Sequence, residues 1–167
     1  GISTIYNVSK FDDMQAMVNL LKAYNVHCDI NEESKSLTID TTNIQNTIVD
    51  ASLYSSYRAS TLFAGPLLAR FKEVWIGMPG GDQIGKRPID FHLNAFKAFG
   101  ALVEYKENYI RVYVHALKPA TIILDYPSVG ATQNILLLAS LIEGTTTIKN
   151  AAQEPEITDM IIALQTM

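Results

Sequence analysis

Sulfur chemistry and charge are both scarce in this sequence. Its 167 residues include one cysteine, Cys28, so no disulfide can form within the chain. That fits a reducing compartment, and a lone cysteine in an apolar strand reads as a small buried hydrophobe. Charged residues make up 18% and the formal charge is −4. This excludes a general nucleic-acid binder, because neutralising phosphates needs a basic surface. No apolar run approaches the ~20 residues of a membrane span, and the opening residues carry no charged-then-apolar secretion signal. His27, His92 and His115 lack metal-ligand spacing with Cys28 or a carboxylate pair. Neither a Walker loop nor a Gly-x-Ser-x-Gly elbow occurs, and no metal or cofactor is expected. What is plentiful is apolar residues, 48% of a length that suits one domain with a real core.

The chain reads as an α/β protein built on a repeat. Ser9-Lys10-Phe11-Asp12 is a capping-box-like helix start, and Met14, Met17, Val18 and Leu21 follow on one face. Strands are expected at 26–30 and 36–40, joined by a hairpin loop over 31–34. A second helix closes at Gly100, a left-handed cap, before strands at 101–105 and 109–115. Shifted by 75 positions, the first unit lies over the second without a gap. Asn25 falls on Gly100, Cys28 on Val103, Leu37 on Val112 and Ile39 on Val114. Each unit is expected to continue as strand, helix, strand: 47–49, 57–71 and 73–77 in the first, 121–125, 128–143 and 145–149 in the second. A third unit begins at Pro155, and its helix carries Ile157, Ile161, Ile162 and Leu164. With no hairpin after it, that apolar face is expected to be exposed and the chain to be cut short.

Two segments can carry chemistry. The first is Met78-Pro79-Gly80-Gly81-Asp82-Gln83-Ile84-Gly85-Lys86-Arg87-Pro88-Ile89-Asp90. Its glycines free the backbone, and Lys86 and Arg87 precede a proline suited to a first helical position. On the residues alone this is either an anion site at a helix N-terminus or a surface turn with solvated charges. The second is Asp125-Tyr126-Pro127-Ser128-Val129-Gly130, where Ser128 can cap a helix whose first N–H groups could hold a phosphate. An ordinary cap is the plainer reading there. Arg58, early in a helix, is an odd place for a cation unless an anion is near.

Taken in order, Arg58-Ala59-Ser60, Gly65-Pro66-Leu67-Leu68-Ala69-Arg70-Phe71, Pro79-Gly80-Gly81 with Ile84-Gly85-x-Arg87-Pro88-Ile89-Asp90-x-His92, Ser128-Val129-Gly130-Ala131-Thr132, and Asn150-Ala151-Ala152-x-Glu154-Pro155-Glu156-Ile157 resemble the UDP-N-acetylglucosamine enolpyruvyl transferases (1-carboxyvinyltransferases). The resemblance covers nearly the whole chain. It implies an inside-out α/β barrel lobe of repeated βαβαββ units, two of them plus the start of a third. Residues 1–167 would then be a single incomplete lobe, with the second lobe of the same protein as its missing partner.

The implied activity is transfer of enolpyruvyl from phosphoenolpyruvate to the 3′-hydroxyl of UDP-N-acetylglucosamine, with release of phosphate. That is the first committed step of peptidoglycan synthesis, in the cytoplasm, and so bears on cell-wall biogenesis, cell shape and division. The fragment is expected to be inactive alone. A non-catalytic sugar-nucleotide module and the shikimate-pathway transferase are the alternatives.

By the same resemblance Asp82 is catalytic. Arg58, Arg87, Pro88, Ile89, Asp90, Phe91, Ser128, Val129, Gly130, Glu154 and Glu156 bind substrate. Most relatives carry cysteine where this chain has Asp82, and a natural minority with Asp resist fosfomycin, which alkylates that cysteine. A free Asp titrates near ~3.9 against ~8.5 for Cys, so donating a proton at neutral pH requires burial or a neighbouring phosphate. Tyr126 stands where a lysine is usual, and Leu62 where an aromatic is usual.

Overall fold

The computed structural model describes residues 1–9, 11–55, 57–77 and 89–167, without the side chains of Ser55 and Arg58. Strand β1 (Ile2–Tyr6), helix α1 (Asp12–Ala23) and strands β2 (His27–Asn31) and β3 (Ser36–Asp40) come first. They form an antiparallel sheet in the order β1-β3-β2. Strand β1 escapes the sequence reading; it is exposed along its length, so no inward apolar row marks it. Helix α2 (Ala51–Ser55), a 3₁₀ turn (Arg58–Phe63) and helix α3 (Ala64–Phe71) lead to β4 (Glu73–Gly77). Helix α4 (Asp90–Ala98) and strands β5 (Leu102–Tyr105) and β6 (Tyr109–Tyr113) complete a second antiparallel sheet, ordered β4-β6-β5. Last come β7 (Thr121–Ile123), α5 (Val129–Ala139), β8 (Thr147–Lys149) parallel to β7, and α6 (Pro155–Thr166).

The α/β class with repeated units is what the structure has. The repeat is clearest at the helix ends. In α1, Tyr24, Asn25 and Val26 donate to the carbonyls of Leu20, Lys22 and Leu21. In α4, Phe99, Gly100 and Ala101 donate to Ala95, Lys97 and Phe96, each 75 positions on. Asn25 (φ 63°) and Gly100 (φ 100°) both turn left-handed, as the cap requires.

Beyond the cap the ungapped alignment fails. Cys28 faces Ile39, but Val103 faces Val112 rather than Val114. Leu37 is therefore matched by Ile110 and Ile39 by Val112. The first hairpin closes at Asn31–Ser36 over a loop in which Asn31 Oδ1 accepts from the Ser34 N–H at 3.0 Å. The second is tighter, with Lys106 N–H donating to the Tyr109 carbonyl at 2.8 Å. A slip of two residues keeps every side chain on its face, so apolar alternation alone cannot reveal it.

Other expectations also shift. No strand forms at 47–49; the Thr47 carbonyl accepts one bond, from Trp75 N–H, before α2 begins. The helix expected over 57–71 divides into the 3₁₀ turn and α3. Ser60 Oγ lies 2.6 Å from both the Tyr54 and Tyr57 carbonyls, its one proton available to either, and this backward bonding holds the turn in its tighter form. Helix α5 closes at Ala139, because Leu141 and Ile142 donate to carbonyls three residues back. Gly144 (φ 111°) lies in the turn that follows. The N-cap of α1 is Phe11 without a side-chain bond, so the expected Ser9 cap does not form.

Helix α5 has no exposed residue and forms the axis of the fold. Helix α3 packs along it, with α4 and α6 beside it. An apolar helix of this kind belongs inside. Sheet β4-β6-β5 turns Val74, Ile76, Ile110 and Val112 inward. Its outer face carries Glu73, Trp75, Arg111 and Glu104. Cys28 is buried, and burial pushes its thiol up against the opposing pull of Lys22. Of the apolar residues on α6, Ile157 is buried and caps the core, whereas Ile161 and Ile162 are exposed. No helix among the described residues is long and apolar enough to cross a membrane.

Candidate functional site

The predicted binding residues gather where helices begin. Ile89 is the N-cap of α4, and its carbonyl accepts from Leu93 N–H at 3.0 Å. Asp90 and Phe91 follow in the first turn, Asp90 exposed and Phe91 half-buried against the core. The chain enters α5 through a tight turn over Pro127, with Ser128 N–H donating to the Tyr126 carbonyl at 2.8 Å. Ser128 then caps the helix as expected: its Oγ accepts from Ala131 N–H at 3.3 Å, and its carbonyl accepts from Thr132 N–H at 2.9 Å. Among the described residues the N–H groups of Val129 and Gly130 have no acceptor, and they lie at the positive end of an apolar helix.

These two helix starts touch. The imidazole of His92 turns its Cε1–Nε2 edge to Gly130, where a Cβ would lie 3.5 Å from Cε1 and 3.6 Å from Nε2. The third helix start is tied in through Thr132, which is buried. Thr132 Oγ1 donates to the Ser128 carbonyl at 2.8 Å and accepts from Ala152 N–H at 3.1 Å. Two residues later Glu154 is the N-cap of α6, its carbonyl accepting from Ile157 N–H at 2.9 Å. Glu154 and Glu156 are both exposed, with Pro155 at the first helical position.

Arg58 opens the 3₁₀ turn with its backbone; its side chain lies outside the described residues. That turn is fastened to α5 by Asn134, whose Nδ2 donates to the Thr61 carbonyl at 2.8 Å. Asp82, Arg87 and Pro88 also lie outside the described residues. The structure thus brings together Ile89, Asp90 and Phe91 with Ser128, Val129 and Gly130. It links them to the Arg58 turn on one side and to Glu154 on the other.

Asn134 and its partner His92 are what sequence reasoning passed over. The signal was slight: Asn134 directly precedes the apolar run Ile135-Leu136-Leu137-Leu138 and stands three and four residues from Leu137 and Leu138, on their helix face, where a buried amide must find partners. Two open depressions, of about 370 Å³ beside Lys22, His27 and Asp40 and about 500 Å³ beside Val8, Met14 and Lys35, lie on the first unit instead. Neither is lined by a predicted site residue.

Chemically, the arrangement offers backbone N–H donors, a capping hydroxyl and an imidazole around one entrance, with carboxylates at its edge. Such a set suits an anionic ligand that also presents hydroxyl groups.

Comparison with known proteins agrees in extent. The sequence matches the family described as EPSP synthase (3-phosphoshikimate 1-carboxyvinyltransferase) over residues 1–167. It is 44% identical over 154 residues to the UDP-N-acetylglucosamine 1-carboxyvinyltransferase 1 of Carboxydothermus hydrogenoformans, covering 92% of this chain and 36% of that protein. The same-named protein of Clostridium acetobutylicum is 42% identical over 164 residues, 98% of this chain and 39% of the relative. The UDP-N-acetylglucosamine 1-carboxyvinyltransferase of Elusimicrobium minutum is 52% identical over 122 residues, 73% of this chain and 29% of the relative. The chain therefore spans under two fifths of these relatives' length.

Among solved structures, the enolpyruvyl transferase NikO from Streptomyces tendae superposes with a TM-score of 0.85 at 20% identity, covering 99% of this chain and 39% of its own. The EPSP synthase of Acinetobacter baumannii gives 0.72 at 18% identity, over 95% and 37%. Those two likenesses establish the fold.

Proposed function

This chain belongs to the EPSP synthase (3-phosphoshikimate 1-carboxyvinyltransferase) family, and from that premise we propose that it is part of an enzyme transferring enolpyruvyl from phosphoenolpyruvate to the 3′-hydroxyl of UDP-N-acetylglucosamine. The observation that carries the reading is the meeting of the α4 and α5 starts at His92 and Gly130, in a sequence 44% identical to a transferase named for that sugar nucleotide. The diphosphate takes the Val129 and Gly130 N–H groups together with Arg87. Ile89, Asp90 and Phe91 line the uridine side, and Glu154 and Glu156 the sugar. Arg58 and Arg87 offset the charge of phosphoenolpyruvate.

In the reaction the sugar hydroxyl gives up its proton to a base as its oxygen bonds to the central carbon of phosphoenolpyruvate, while the methylene carbon takes a proton from an acid. The tetrahedral adduct then loses a proton from the new methyl group as the bond to phosphate oxygen breaks, restoring the double bond and releasing inorganic phosphate. Asp82 serves as proton donor, its carboxyl kept protonated by the anions around it.

Residues 1–167 form a single incomplete lobe on this reading. The second lobe of the same protein supplies the opposite wall, because one lobe can neither exclude water nor orient both substrates. The same proposal extends to a cytoplasmic role at the start of peptidoglycan synthesis, hence in cell-wall biogenesis, shape and division. With Asp82 in place of cysteine it also extends to fosfomycin resistance.

The test is phosphate release by the whole protein carrying this chain. Release with phosphoenolpyruvate and UDP-N-acetylglucosamine, undiminished by fosfomycin, is the expected result. Release only with shikimate 3-phosphate would replace the reading with the other activity of the family. Turnover by residues 1–167 alone would overturn the need for a second lobe.

A further inference from the structure

The amide of Asn134 lies in the interior, fully buried in the middle of α5. Its orientation is fixed by two backbone groups of opposite polarity. Oδ1 accepts from Gly65 N–H at 2.8 Å, and Nδ2 donates to the Thr61 carbonyl at 2.8 Å. Turning the amide over would set oxygen against oxygen and N–H against N–H. The second hydrogen of Nδ2 is then directed at His92 Nδ1, 2.9 Å away. An imidazole nitrogen facing an N–H must offer a lone pair, so the ring proton belongs on Nε2. That nitrogen lies on the ring edge turned to Gly130.

We propose that Asn134 is a positioning residue: it fixes His92 as the neutral Nε2–H tautomer and, through the same amide, clamps the Arg58 turn, α4 and α5 into one arrangement. The proposal explains why this side of α3 carries glycine. A Cβ on Gly65 would stand 2.7 Å from both the backbone oxygen and Oδ1 of Asn134. Only a bare Cα lets α3 come near enough for its N–H to read the amide. It also sets a ring N–H on the edge of His92 turned to Gly130, beside the N–H groups that open α5. Donors side by side suit an anionic oxygen, and this consequence for substrate rests on the function proposed above; the tautomer does not.

Long-range proton–nitrogen correlation spectra of histidine-labelled protein read the tautomer directly, with His27→Gln and His115→Gln assigning the signals. The expected wild-type pattern at neutral pH is a protonated Nε2 and an unprotonated Nδ1 at His92. A protonated Nδ1 would overturn the proposal, with no variant needed. Asn134→Asp replaces the donor with an acceptor of the same shape and is expected to draw the proton to Nδ1; a folded variant keeping the wild-type pattern would also overturn it. In turnover assays the same variant is expected to raise the KM for the sugar nucleotide roughly 100-fold, with a smaller change in kcat. An inactive wild type would sink the proposed function yet leave the tautomer result standing.

Discussion

In the first unit residues 7–11 carry the chain from β1 to α1; in the second, residues 78–89 make the same connection between β4 and α4. The helix ends that follow are superimposable in their bonding, cap for cap. The extra length is thus added at the helix start, while the helix end and its hairpin keep the repeat. A fold held by its C-caps and inward strand faces tolerates insertion at the other end. On the proposed function, that segment of the second unit carries Asp82 and Arg87.

The outer faces differ as well. Thr4 and Thr38 share one hydrogen bond on the first sheet. On the second, Arg111 pairs with Glu73 and Glu104 and lies over the rings of Trp75 and Tyr113. Strand β1 is exposed throughout, whereas β4 is largely buried beneath α2 and α3.

Several substitutions sharpen this contrast. The largest effect is expected where α3, ahead of the second sheet, leans on α5. Gly65→Ala would press a methyl group onto the backbone oxygen of Asn134, and should cost about 3 kcal/mol in urea unfolding. A loss under about 0.5 kcal/mol would mean that α3 and α5 can part freely. Next come the equivalent caps. Gly100→Ala should cost about 1–2 kcal/mol, and Gly100→Asn less, since Asn25 already holds a left-handed conformation in the first unit. Equal losses for the two variants would break the equivalence.

Tyr24 and Phe99 form the third pair, both buried at the same point of the repeat. The Tyr24 hydroxyl has no hydrogen-bond partner among the described residues, and burial pushes its phenol well up. Tyr24→Phe should leave stability unchanged or raise it by about 1 kcal/mol. A clear loss would reveal a partner for the hydroxyl.

The smallest effect belongs to the outer face. The Arg111 guanidinium, donating to Glu73, holds that carboxyl below its ordinary range, with help from the Trp75 N–H. A depressed carboxylate stabilises the fold above its unfolded pKa, and that contribution fades as pH falls through the folded value. Glu73→Gln should therefore lower the urea midpoint slightly at neutral pH and not at all once wild-type Glu73 is protonated. A gap between variant and wild type that widens on acidification would contradict the pairing.

Much of this was legible in the residues. Alternation placed the strand 36–40, and the strand pair near 101–113 came within two residues at each end. Gly100 and Ser128 marked a cap at each kind of helix end. The meeting of residues 89–91 with 128–130 was legible only through family resemblance, since nothing in local pattern says that two helix starts far apart in sequence will touch. Asn134 went unmarked because it follows two polar residues at the head of an apolar run, where a solvent-facing amide is equally compatible with the pattern. The 3₁₀ turn was hidden because Ser60 bonds backward to carbonyls, which composition does not disclose.

By itself, the sequence determined the class, the repeat and the inward faces, because periodicity and cap chemistry act within a few residues. Hairpin register, the exposed β1 and the amide clamp at Asn134 were decided by tertiary structure. A two-residue slip preserves alternation, an edge strand buries nothing that would mark it, and a hydrogen bond between helices exists only once packing has brought its donor and acceptor together.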